Sequence, residues 1–236
     1  MTALGSVFAT LLWGAWVAAD ATAFVQLLIS QPLVAGAVTG WLWQRPEIGL
    51  ELGALLQLFA CGVLPLGGRT PEDFPTGTVV GVAVACAIDQ AVPLASAQGG
   101  PLLYGALVAF ATALLGKPLL VWQRRRNERL AAWCEAELER GHLGALAQAQ
   151  AAGVAQAAAM GLAWTAVGLL VFGQLAGPLF RAQGVALGQA WHLGSPLLWG
   201  FGAGLVARNF VRGRRPGIFF WLALTVFLLV RLAAPE

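Results

Sequence analysis

The chain has 236 residues, of which 58% are hydrophobic and only 11% are charged, and its mean hydropathy is +0.74. Soluble domains carry about 25% charged residues, and the sequence contains no polar half that could form a separate soluble domain. These proportions exclude a soluble helical protein and indicate an integral membrane protein. The net charge of +3 is modest, so the placement of the charges is more informative than their sum. We expect no nucleic-acid partner.

The apolar segments predict helices rather than barrel strands. Runs such as Pro216 to Leu232 are continuous and lack the apolar–polar alternation of outer-membrane strands. The first segment has no basic n-region and no cleavage site followed by a polar mature chain, so we interpret it as a membrane helix. Apolar segments lie at about 3–19, 22–43, 48–66, 76–97, 100–122, 152–180, 184–210 and 216–233. Several are shorter than the roughly 20 residues that a spanning helix needs, or contain Gly and Pro. An all-α polytopic fold with broken or re-entrant segments is therefore predicted.

One long polar segment, residues 123–150, divides the chain, and five Arg and four Glu lie between its Arg124 and Arg140. The spacing predicts an amphipathic helix on the membrane surface, with Arg125 and Arg129 on one face. Its apolar strip consists of Leu130, Trp133, Cys134 and Leu138. The basic cluster 124–126 directly follows an apolar segment, which is typical of the cytoplasmic side.

A second basic cluster, residues 212–215, bears on the number of membrane crossings and on the orientation of the chain. Two long apolar segments separate it from the first cluster, so an even number of crossings would place both clusters in the cytoplasm. We therefore expect three regions. They are an N-terminal membrane unit (1–122), a cytoplasmic amphipathic linker (123–150) and a C-terminal membrane unit (151–236).

The usual catalytic and metal-binding motifs are absent from the sequence. There is no GxxxxGK[ST] loop and no G-x-S-x-G elbow, and His142 and His192 are far apart without partners at ligand spacing. We expect no catalytic residue, metal or cofactor. The cysteines Cys61, Cys86 and Cys134 are scattered and fit packing roles. Gly36 and Gly40 fit small-residue helix packing.

Residues 30–75 differ because polar groups stand among apolar neighbours. They are Gln31, Glu47, Glu51, Gln57, Glu72 and Asp73, and Pro65, Gly67, Gly68 and Pro71 interrupt the backbone. A polar residue at membrane depth is costly unless it faces a partner or a wet cavity. Amides, a carboxylate and free backbone groups suit a ligand rich in hydroxyls. The alternative is a solvated loop at 67–75 in which Asp73 caps the next helix.

The same stretch resembles the membrane subunit IIC of the mannose/fructose/sorbose family of the bacterial phosphotransferase system (PTS). That family shows the form RPLVxGxxxGxxxGDxxTGLxxGxxLELxxLGxxPxGGxxPPD. Matching positions, without a gap, are Pro32, Leu33, Val34, Gly36, Gly40, Gly49, Gly53, Leu56, Gly62, Pro65, Gly67, Gly68, Pro71 and Asp73. More weakly, residues 123–145 resemble the family's central linker, and Gly194, Gly200 and Phe201 match a later glycine-rich stretch.

The resemblance implies a sugar-translocating subunit that binds a hexose while a IIB partner phosphorylates it. It also implies a second membrane subunit, IID, soluble IIA and IIB proteins, an oligomer, and location in the bacterial cytoplasmic membrane. By this resemblance we expect Gln31, Gln57 and Asp73 to contact sugar and the Gly67-Gly68 turn to supply backbone groups. Glu72 and His192 are further candidates for the substrate-binding set.

Three departures from the family pattern leave other functions open. Gln57 replaces the family's glutamate, Glu72 replaces the second proline, and the Gly-Asp turn is Trp43-Gln44 followed by Arg45-Pro46. Gln57 keeps hydrogen-bonding capacity but loses the charge that strengthens bonds to hydroxyls. One alternative is a degenerate IIC subunit with a regulatory, assembly or facilitator role. Another is an unrelated small membrane transporter subunit.

Overall fold

The computed structural model describes residues 3–24, 26–62, 70–91 and 99–210, together with positions 221 and 225. Within these ranges the chain is helical and has no strand. The helices are α1 (Ala3–Thr22), α2 (Pro32–Leu42), α3 (Pro46–Gly62), α4 (Phe74–Ala91), α5 (Gly100–Glu139) and α6 (Ala145–Phe210). The all-helical expectation is confirmed.

Four of these helices, α1, α4, α5 and α6, are long and apolar enough to cross a membrane. By contrast, α2 has 11 residues and α3 has 17. At 1.5 Å per residue α2 measures about 16 Å, less than a hydrocarbon core of about 30 Å. The polar stretch lies at the start of this short helix, on the described part of α3 and directly before α4.

Helix α4 is the centre of the bundle and packs against every other helix. Its residues Val79, Val80 and Val82 are fully buried, as expected for a helix that is apolar on all sides. Glycine allows α5 to approach α4 closely. A Cβ on Gly77 would lie 2.5 Å from the Ala109 carbonyl oxygen of α5, too close for any side chain. The tight α4–α5 contact fixes the helices that carry one side of the site described below.

Helices α2 and α3 form a hairpin with backbone-to-backbone packing. A Cβ on Gly40 would lie 2.7 Å from Gly49 Cα, and one on Gly36 would lie 2.7 Å from the Gly49 carbonyl oxygen. The packing role expected for Gly36 and Gly40 is therefore observed. The turn between the helices includes Gln44 at φ +58°, a left-handed conformation that glycine adopts without strain.

The two apolar segments expected at 152–180 and 184–210 are joined in one helix, α6. Helix α6 contains Pro178 and Pro196 in its interior. Gly161 and Cys61 line one cavity, and Asn209 donates a hydrogen bond to the Cys61 carbonyl oxygen. A straight helix would separate residues 161 and 209 by about 72 Å, so α6 must bend back on itself.

The contacts of α6 locate this reversal. Gly168 packs on Val80, a Cβ on Gly100 would lie 3.1 Å from the Phe180 ring, and Gly202 packs on Leu58. The helix thus runs from the end of the bundle nearest residues 123–144, the linker end, to the opposite end and back. Prolines remove helical hydrogen bonds and are the usual cause of sharp kinks.

The charged segment also differs in its boundaries. Residues 123–139 are helical, as expected, but they continue α5 without interruption past Pro118. Of the apolar strip, Cys134 is buried, whereas Trp133 and Leu138 are exposed. The basic residues 212–215 lie outside the described residues.

Candidate functional site

Asp73 occupies the position directly before α4 and caps that helix. Its Oδ1 accepts a hydrogen bond from the Thr76 backbone N–H at 3.2 Å, which is the standard N-cap geometry. Its own backbone N–H donates to the Ala113 carbonyl oxygen of α5 at 3.0 Å. A Cβ on Gly116 would lie 3.0 Å from Asp73 Cβ. Asp73 is therefore buried against α5 and held by both its side chain and its backbone.

Glu72 and Lys117 form an ion pair beside this cap. Lys117 Nζ donates to Glu72 Oε1 at 3.0 Å, and the Glu72 side chain is only 12% exposed. Lys117 lies one residue after Gly116 on α5, so the cap and the ion pair are held by the same stretch of that helix. The segment that precedes α4 is thus attached to α5 at two consecutive residues.

Gln57 and Gln31 link the two helices of the hairpin. The side-chain N–H of Gln57 donates to Gln31 Oε1 at 2.8 Å and to Cys61 Sγ at 3.2 Å. Gln57 Oε1 accepts from the Leu33 backbone N–H at 3.2 Å, at the start of α2. The amide that stands in place of the family's glutamate is therefore a bridge between α2 and α3.

These groups surround one cavity of about 540 Å³ at the linker end of the bundle. Four of the expected residues, Gln31, Gln57, Glu72 and Asp73, line it. His192 does not: it is exposed on α6, next to Trp191, which packs against Gly99. Gly99 precedes α5 and lies about 30 Å from residue 119 of the cavity wall along that helix. Gly67 and Gly68 lie outside the described residues.

The opposite wall of the cavity contains polar residues that sequence reasoning assigned only to the linker. Gln123, Arg124 and Asn127 of α5 line it, and Gln123 Nε2 donates to Thr22 Oγ1 of α1 at 3.2 Å. From α6, Trp164 lines the cavity and donates its indole N–H to the Thr112 carbonyl oxygen. The spacing of positions 120, 123, 124 and 127 on one helical face could have indicated this wall.

The far end of the bundle carries a second ion pair. Arg45 Nε donates to Asp89 Oδ2 at 2.5 Å, joining the hairpin turn to the last turn of α4. The hydrogen bond from Arg45 to Asp89 raises the pKa of the guanidinium above its ordinary value. The nearby Gln90 side chain donates to the Trp43 carbonyl oxygen. These contacts join the hairpin turn to α4 at this end of the bundle.

The arrangement at the linker end can hold a small hydroxylated molecule. Its volume lies within the roughly 300–1,000 Å³ that is common for ligand pockets. Amide, carboxylate and guanidinium groups line it together with aromatic and aliphatic surface. Within the described parts of the chain, no group of three His, Cys, Asp or Glu side chains is placed to hold a metal.

The family model described as "PTS system sorbose-specific IIC component" matches residues 4–181, most of the chain. The chain belongs to this family. It is therefore a multi-pass membrane protein of the PTS IIC type, and the family model covers the hairpin, the cap of α4 and both cavity walls. No curated protein matches the chain. A solved structure described as "Structure of membrane protein" has the same fold, with a TM-score of 0.62 and 16% identity over 100% of this chain and 90% of that chain.

Proposed function

We propose that the chain is the sugar-translocating IIC subunit of a mannose-type PTS permease, and that the cavity at the linker end binds a hexose. The observation that supports this most directly is the convergence of Gln31, Gln57 and Asp73 on one cavity from three separate elements. Membership of the PTS IIC family supports a role in sugar transport, and the cavity is a site where the sugar could bind. The same membership removes the alternative of an unrelated transporter subunit.

The side chains in the cavity suit sugar hydroxyls because each hydroxyl both donates and accepts a hydrogen bond. An ionised carboxylate offers about four acceptor sites, of which the cap to Thr76 uses one. Charge-assisted bonds to hydroxyls are the stronger kind, so we assign Asp73 the main contact. Gln31 and Gln57 orient the sugar from the hairpin, and Glu72 supports Asp73.

Within this proposal the chain itself performs no covalent chemistry. The IIB protein, charged through IIA, donates the phosphoryl group to the sugar held in the cavity, and IID completes the membrane complex, which is an oligomer. We further propose that the linker (123–150) and residues 212–215 lie in the cytoplasm of a bacterium, on the side where IIB acts. The N-terminal unit (1–122), this linker and the C-terminal unit (151–236) then act as three regions.

Equilibrium binding of hexoses to the purified IIC–IID complex tests the proposal. Asp73→Asn keeps a good capping residue but removes the charge, so we expect at least about tenfold weaker binding. Gln57→Ala should also weaken binding. Gln148→Ala, an exposed amide on α6 outside the cavity, is the control. Unchanged affinity in both cavity variants would overturn the assignment.

A degenerate subunit with a regulatory, assembly or facilitator role is the second candidate, and Gln57 favours it. Both polar atoms of this amide are engaged by Gln31, Cys61 and the Leu33 N–H, and it lacks the glutamate charge. Uptake of labelled hexoses in a host carrying the chain with its IID partner separates the two candidates. Sugar-dependent phosphorylation supports the permease, and its absence with intact assembly supports the degenerate role.

A further inference from the structure

Lys117 is the only lysine of the chain, and it stands in the first part of α5, residues 100–122, which otherwise has the apolar character of a membrane span. An ionisable residue in such a position is rare and is usually paired with a specific partner. Here the partner is Glu72, at 3.0 Å. The pair adjoins the cap of α4, and Glu72 and Asp73 both line the cavity.

The contacts of α5 with residues 72 and 73 form one unit. Ala113 accepts the Asp73 backbone N–H, Gly116 lies against the Asp73 side chain, and Lys117 pairs with Glu72. Positions 113, 116 and 117 share one face of a helix. The backbone before α4 is therefore fixed by a hydrogen bond, a close packing contact and an ion pair from a single surface.

Glu72 stands where the PTS IIC pattern has a second consecutive proline. Proline restricts φ to about −65° and reduces the freedom of the segment before it folds. Glutamate has no such restriction, so this segment needs another constraint to hold Asp73 in place. The ion pair with Lys117 is a constraint at that same residue.

We propose that Lys117 is a positioning residue of the sugar site, which holds Asp73 toward the cavity by pairing with Glu72 and so replaces the missing proline. This inference rests on the proposed function. It predicts that loss of the lysine charge loosens residues 70–76 and weakens sugar binding. It further predicts that either a swapped ion pair or a proline at position 72 restores both properties.

Two measurements on the purified IIC–IID complex test it. The first, made without sugar, is amide hydrogen exchange of residues 70–76, and the second is hexose affinity. For Lys117→Met we expect faster exchange and about fivefold weaker binding, the scale of a partly exposed ion pair. Both should return toward wild type in Lys117→Glu with Glu72→Lys, and in Lys117→Met with Glu72→Pro. Thermal unfolding of each variant shows whether the bundle stays folded.

Arg45→Met is the matched control. The Arg45–Asp89 pair has nearly the same exposure, 36% and 20% against 37% and 12%, but lies at the far end of the bundle. Arg45→Met should therefore change neither the amide exchange of residues 70–76 nor the hexose affinity. Unchanged exchange or unchanged affinity in Lys117→Met overturns the inference, as does an equal effect of Arg45→Met. If the wild-type complex binds no hexose, the proposed function fails, and the inference that rests on it fails too. If the wild-type complex binds hexose and Lys117→Met changes neither exchange nor affinity, only the inference fails.

Discussion

Asp73 shows how one side chain serves both the fold and the site. Its Oδ1 caps α4 through the Thr76 N–H, and the residue lines the cavity. A residue that performs both tasks cannot be assigned a binding role from an alanine variant alone, because the loss of a cap can also perturb the site. The choice of substitution therefore decides what is learned.

Thermal or denaturant unfolding should separate the two tasks of Asp73. Asp73→Ala removes the cap and should lower the free energy of unfolding by about 1 kcal/mol, within a usual range of about 0.5–2. Asp73→Asn keeps an equivalent capping group and should cost less. Equal losses of stability in the two variants would show that the cap is not what Asp73 contributes to the fold.

The sequence predicted individual residues well where a local rule applied and poorly where contacts were distant. A cap at Asp73 follows from an acid directly before an apolar helix, and Gly36 and Gly40 follow from small-residue spacing. The Lys117–Glu72 pair joins residues 45 positions apart, and no local pattern contains that information. His192, a further candidate for the substrate-binding set, lies at the end of the bundle opposite the cavity.

At the scale of elements, the α2–α3 hairpin is defined by the absence of side chains at its contact. Gly36 and Gly40 meet Gly49 and Gly53 so closely that added Cβ atoms would overlap backbone atoms. Backbone cannot yield as a flexible side chain does. The hairpin therefore depends on its glycines for more than conformational freedom.

Gly40→Ala tests this packing. Its new Cβ would meet the Arg45 carbonyl oxygen at 2.6 Å and Gly49 Cα at 2.7 Å, so we expect about 1–3 kcal/mol of destabilisation. Gly153→Ala on α6 is the control, since nothing lies within 4 Å of its Cβ position. That change should be neutral or stabilising by up to about 1 kcal/mol. Similar unfolding temperatures for both variants would contradict the packing argument.

The Arg45–Asp89 pair should contribute little stability despite its short distance. Its arginine side chain is 36% exposed, so solvent screens the charge and the net contribution should not exceed about 1 kcal/mol. We expect Arg45→Gln and Asp89→Asn to have small effects that diminish as salt is added. A loss above about 2 kcal/mol in either variant, measured by denaturant unfolding, would show a more buried interaction than the structure implies.

At the scale of the whole molecule, α6 determines how the chain is arranged across the membrane. Hydropathy separated two apolar segments here, whereas the structure joins them in one helix, because proline can bend a helix without ending it. The reversal returns residue 209 to the linker end, beside Cys61. The apolar segments were thus accessible from the sequence, whereas the path of the helix required contacts.

Cysteine labelling in cells tests the sidedness of the bundle. In a background without Cys61, Cys86 and Cys134, we expect His142→Cys, in the α5–α6 turn, to be protected from an impermeant thiol reagent added outside. Gln44→Cys, in the exposed turn at the opposite end, should react. In inverted membrane vesicles, His142→Cys should react and Gln44→Cys should be protected. Labelling of both positions from the same side would contradict the proposed orientation.

The glycine contact between α2 and α3 also has a consequence for motion. Two helices that meet backbone to backbone resist sliding, so the hairpin is suited to move as one rigid body. Gln31 and Gln57 both belong to it, whereas Glu72 and Asp73 are attached to α5. A rotation of the hairpin against α4 and α5 would therefore move the two amides of the cavity away from its two acids.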